Sequence, residues 1–208
     1  MRISQEGANN LSNGLEKDFK NAYENLTANI TNYSNAQNEI WRSNAATLFA
    51  GEVNTSIASV DSALTSLNNS INSKLKEIVN LQNIEEEEDI TFPNVDYTKV
   101  TKSVEPDACW AGNTVGVLEG HSLEDLKASF EKIVTEVQAD LKAMEGIINS
   151  NTMLYSSEKE SLCSYFAKAN TTLTTELENL GESYNNRIKG EEDKRVTAAQ
   201  AARQILEG

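Results

Sequence analysis

Residues able to do chemistry are few and scattered in this 208-residue chain. His121 is the single histidine, so a histidine-based metal cluster has nothing to build on. Cys109 and Cys163 are the two cysteines, and they lie in different segments, which does not make a disulfide framework. The acidic run at 85–89 invites a calcium reading. A calcium loop needs oxygens at alternating positions around a sharp glycine turn, and this run has no glycine. Asp140 with Glu145, and Glu158 with Glu160, have the residue type for general acid and base work. That work needs a cleft and shifted pKa values, whereas these pairs read as exposed helix faces. No phosphate-cradling glycine loop, nucleophile elbow or Cys/His pair occurs. Asn25, Asn29, Asn54, Asn68 and Asn170 each begin an Asn-x-Ser/Thr pattern, expected by composition in a chain rich in these residues and falling mostly inside helices. The expectation is a non-enzymatic protein with no catalytic residue, cofactor or metal site.

Composition agrees with helices. Only 38% of the chain is hydrophobic and 6% aromatic, with two prolines and ten glycines. Few aromatics and few breakers suit a helical bundle better than a sandwich or an α/β enzyme. The formal net charge of -14 argues against nucleic acid and against anionic membrane surfaces. The opening Met1-Arg2-Ile3-Ser4-Gln5-Glu6 lacks the apolar stretch of a Sec signal peptide. No run of about 18 apolar residues is present, so no integral membrane segment is expected.

The apolar pattern fixes the elements. In segment 9–40 the stripe is Leu11, Leu15, Phe19, Ala22, Leu26, Ile30 and Tyr33. In segment 45–83 it is Phe49, Val53, Ile57, Val60, Leu64, Leu67, Ile71, Leu75 and Ile78, a heptad seam. Steps of three and four put each stripe on one helical face. The short connection Trp41-Arg42-Ser43-Asn44 makes the two helices antiparallel. Pro93, the β-branched residues around it, and Gly112, Gly116 and Gly120 make 84–121 an irregular linker with a possible short strand pair. A linker this long either packs over the bundle or carries an interaction. A second helical pair follows. Its first stripe runs Leu123, Leu126, Phe130, Ile133, Val137, Leu141, Met144, Ile148, and its second Leu162, Phe166, Ala169, Leu173, Leu177, Leu180, Tyr184, Ile188. Capping patterns open them at Ser122 and Ser157, and Gly181 and Gly190 mark places where the last helix would bend or fray. The fold expected is all-α: two antiparallel helical hairpins forming an elongated four-helix bundle. Its parts are a hairpin at 1–83, a linker at 84–121, and a second hairpin with a helical tail at 122–208.

The run Ile40-Trp41-Arg42-Ser43-Asn44-Ala45-Ala46-Thr47-Leu48-Phe49 places a Trp at a hairpin turn and a Phe eight residues on. This resembles the WXG (Trp-x-Gly) family of small type VII, or ESX, secretion substrates, over roughly residues 1–83. Ser43 stands where that family has Gly, as in variant members. The start, Ile3-Ser4-Gln5-Glu6-Gly7 and the Leu-rich helix after it, also looks like the ESX-like partner proteins of LXG toxins. Trp110-Ala111-Gly112 spells the motif literally but lacks a long helix directly before it.

The resemblance implies a secretion-system substrate, or a targeting and chaperone partner for a secreted effector. Trp41, Arg42, Ser43 and Phe49 would form its recognition tip. Its partners would be the type VII machinery and an LXG-type effector or another WXG-like protein. It would leave by a signal-peptide-independent route, with a cytoplasmic pool before export. The family's second export element, Tyr-x-x-x-Asp/Glu, follows none of the six tyrosines. A separate partner supplies it, or the tail carries an atypical one. The competing class is a cytoplasmic structural or adaptor bundle in which Trp41 is merely packed.

Overall fold

A computed structural model describes residues 3–87, 89–97, 99, 102–106, 117–118 and 123–207. Cys109, Trp110, Gly112, Gly116, Gly120, His121 and Ser122 lie outside the described residues. Four helices carry the fold: α1 (Gln5–Ile40), α2 (Asn44–Glu86), α3 (Leu123–Ser150) and α4 (Ser156–Glu207). Serines open the first two, as the Gly7 amide donates to Ser4 Oγ at 3.1 Å and the Ala46 amide to Ser43 Oγ at 3.1 Å. α4 begins at Ser156, one residue before the expected cap, because Glu158 reaches back to the Tyr155 amide at 2.7 Å. It then runs unbroken through Gly181 and Gly190, so the tail continues the same helix.

The four expected stripes are the core. Leu15, Phe19, Phe49, Val53, Val60, Leu64, Ile71, Phe130, Val137 and Leu173 are all fully buried. The second hairpin packs helix on neighbouring helix as expected, whereas the first does not. α1 packs most closely on α3 and α2 on α4, while α3 packs on α4. Two of these three seams, α1–α3 and α2–α4, therefore join one hairpin to the other, and α3–α4 lies within the second. Between α1 and α3, Asn25 Nδ2 donates to Asp140 at 2.9 Å and Asn29 Nδ2 to Glu136 at 2.6 Å, so these helices run in opposite directions. Between α2 and α4, Ser56 Oγ donates to Glu176 at 2.6 Å, and Glu52 accepts from Ser183 and Arg187. These two are antiparallel as well. It follows that α2 and α3 run parallel, and a parallel pair of long helices needs an end-to-end crossover.

The linker is that crossover. The described linker residues 89–97, 99 and 102–106 form a strap lying between α1 and α2, parallel to α1, where a fourth helix–helix seam would otherwise close the bundle. From the level of Gln5 to that of Asn38, α1 rises about 50 Å. Thr91 of the strap lies at the first of these levels and Glu105 at the second. The strap's own Phe92, Val95 and Val104 are buried against the bundle. At its far end a two-residue strand β2 (Val117–Leu118) pairs antiparallel with β1 (Trp41–Arg42), Trp41 opposite Leu118. Among the described residues, the strand pair forms between the linker and the hairpin turn.

Candidate protein-interaction sites

The hairpin turn sits at the end of the bundle where all four helices contribute an aromatic or a neighbour to one. Trp41 follows directly on α1, its backbone N–H still bonded to Gln37 O, and its indole is 1% exposed. The ring packs on Phe49 of α2, centroids 5.8 Å apart, and edge-on against Tyr184 of α4 at 5.9 Å. Phe49 stands edge-on to Phe130 of α3 at 5.3 Å, and Tyr33 of α1 stands edge-on to both phenylalanines. Edge-to-face pairs at these separations add stabilisation beyond the area they bury. Tyr184 Oη donates to Leu123 O at 2.7 Å, which ties α4 to the first residue of α3. Burial raises the Tyr184 phenol, with the charge of Glu124 adding to it, and burial raises Tyr33 likewise, with Tyr184 contributing. Both rings are held neutral.

Three of the four residues expected at the tip therefore face inward: Trp41, Ser43 and Phe49 are buried. Ser43 earns its place over Gly by the oxygen that caps α2, since its extended backbone at φ -159° needs no glycine. Arg42 is half-buried, its Nε donating to Asn38 O. The outer surface of the turn consists of Arg42, Asn44 and Leu48, the last 51% exposed. Leu48 is the residue sequence reasoning missed; it lies off the stripe of its own helix, and an exposed leucine beside a packed turn is visible only once the faces are known.

The second site is the strap groove. Its chemistry is amide against backbone. Gln5 takes both the N–H and the C=O of Thr91, each at 2.9 Å. Asn83 does the same for Ile90, at 3.0 and 2.7 Å, and Asn54 for Val104, at 2.7 and 3.0 Å. Val95 donates to Asn72 Oδ1 at 2.8 Å and its carbonyl accepts from Asn68 at 3.0 Å. Each side chain stands in for one residue of a neighbouring β-strand. Aromatic packing clasps the middle, with Tyr97 stacked between Phe19 at 5.5 Å and Tyr23 at 4.8 Å. Tyr23 Oη donates to Asp61 at 3.0 Å, and Asp61 also pairs with Lys99 of the strap. Burial, then the neighbouring Tyr97 hydroxyl, raises the Tyr23 phenol.

Charged groups elsewhere serve the helix seams. At Glu52, partial burial pulls the carboxyl upward, but hydrogen bonds from Arg187 and Ser183 outweigh it and leave the group below its ordinary value. Cys163 carries a free thiol raised by burial and by Glu145. Among the described residues, no group of three or more His, Cys, Asp or Glu side chains is placed to hold a metal ion, and no helix is long and apolar enough to cross a membrane. Set beside family models, curated proteins and solved structures, the chain matches none of them.

Proposed function

We propose that the protein is a type VII secretion substrate, or the escort of one, acting through protein contacts and without catalysis. One observation carries the reading: a rigid helix–Trp–helix turn, capped by Ser43 and held at the end of an elongated bundle. A turn locked by five aromatic rings presents one fixed shape, as a folded export signal must. In this reading the machinery touches the outer surface of the turn, Arg42, Asn44 and Leu48, while Trp41 and Phe49 set its shape from beneath. The chain would leave the cell folded by a route independent of a Sec signal. A second reading is an adaptor bundle that stays in the cell. The burial of Trp41 favours it, because packing alone gives that side chain a task.

Secretion of surface variants tests the proposal. Leu48→Asp combined with Arg42→Ala changes what the turn displays and leaves the aromatic cluster whole. This variant is expected to fold normally and accumulate inside producing cells. A Leu64→Ala control, which loosens the core far from the turn by about 2–5 kcal/mol, is expected to be exported in proportion to its folded fraction. Export of the surface variant at the wild-type level would sink the tip as a signal.

A further inference from the structure

The strap groove reads backbone. The amides of Gln5, Asn54, Asn72 and Asn83 each engage the N–H and C=O of a single strap residue. The side chains it engages include apolar anchors three apart, Phe92 and Val95, then Tyr97 on an aromatic floor, a cation at Lys99 that meets Asp61, and a further buried anchor at Val104. Asparagine is a poor helix former because its amide competes for the backbone. Yet α2 carries Asn54, Asn68, Asn72 and Asn83, spaced so that all fall on one helical face, with Asp61 and Lys76 in the same row. That row is spent on holding an extended chain. At the strap's entry, Glu85, Glu86 and Glu87 crowd the C-terminal end of α2, where the helix dipole disfavours anions and no basic residue lies in the last turn. Glu87 also takes the left-handed conformation, φ 55°. Past this junction Asn83 and Gln5 take hold of Ile90 and Thr91, so the strap is held by its amide contacts from its first residues onward.

We infer that this groove is a receptor for extended polypeptide, filled here by the chain's own strap, and that it accepts in trans a segment of another protein with the strap's chemistry. That chemistry is an extended stretch with apolar anchors three apart, an aromatic two residues on and a lysine or arginine two further. The mode is β-strand addition with helix-borne amides in place of a sheet edge. The inference stands apart from the secretion reading, since neither needs the other.

The probe is a fluorescent synthetic peptide of residues 89–106, titrated by anisotropy against the full-length chain carrying Phe92→Asp and Val95→Asp. Those changes expel the resident strap but spare the three helix seams. The variant is expected to bind the peptide one to one, and wild type at least about tenfold more weakly, because its tethered strap competes at high effective concentration. Adding Asn54→Ala and Asn72→Ala is expected to weaken binding by about tenfold or more, since several amide contacts are lost. A variant helical by circular dichroism that does not bind the peptide overturns the inference. So does a variant that dimerises and ignores the peptide, which would give the groove to a second copy. Should the variant not fold, hydrogen exchange on Asn72→Ala decides. Faster exchange of the Val95 amide with α3 unchanged supports a separable strap, and joint acceleration of both overturns it.

Discussion

At Asn54 one side chain takes both backbone groups of Val104, and at Asn25 and Asn29 the same residue type links α1 to carboxylates of α3. The asparagines that begin Asn-x-Ser/Thr patterns at these positions are thus engaged inside the bundle. Asp140, the partner of Asn25, carries a testable consequence. Burial holds its carboxyl above the ordinary value, against the Asn25 hydrogen bond, with the charges of Asp18 and Glu136 adding. A raised acid favours the protonated fold, so its ionisation costs stability as pH rises through the unfolded value and costs most above the folded one. Asp140→Asn keeps an acceptor for Asn25. It is expected to raise stability at neutral pH by less than about 1 kcal/mol, the group being partly exposed and screened by solvent. The gain is expected to fade as pH falls through the carboxylate range. Denaturation midpoints measured against pH check this; a variant less stable than wild type at neutral pH would refute it. Trp41 shows what residue type alone leaves open. Its place at the turn was legible, but its direction was not, because inward or outward depends on Tyr184 and Phe130, which the turn itself does not contain.

Element by element, the helices were plain from their stripes, since burial of one face imposes steps of three and four whatever the partner. That same indifference hid which stripes meet. An apolar stripe does not name its mate, and polar links such as Asn25–Asp140 and Ser56–Glu176 mark α1 on α3 and α2 on α4. The strap was read as irregular because amide side chains, not a β ladder, satisfy its backbone, a pattern that leaves no alternation to find. The row of asparagines on α2 was the available signal. α4 differs from the others at its end. Residues 192–206 are exposed all round, with Val196, Ile205 and Leu206 more than half exposed. Deleting 192–207 is therefore expected to shift Tm by less than about 2 °C while lowering the helical signal. A large loss of Tm on this deletion would mean that the overhang packs on something.

For the whole molecule, the order of directions decides what can fold alone. With α2 and α3 parallel, the two halves interlock: the α1–α3 and α2–α4 seams each take one helix from either hairpin, and the strap threads the first hairpin on its way to the second. A fragment of residues 1–90 keeps α1 and α2 but loses every closest helix neighbour and the strap between them. It is expected to lack a cooperative unfolding transition, checked by calorimetry and sedimentation. A monomeric, cooperatively folding fragment would contradict the interlocked arrangement. The net charge of -14 favours repulsion between copies of the chain.

The measurement that reaches furthest is the amount of wild-type chain in the medium of producing cells with and without the type VII ATPase. Folded protein outside only when the ATPase is present is the expected result; retention inside both strains would contradict export and leave the adaptor reading.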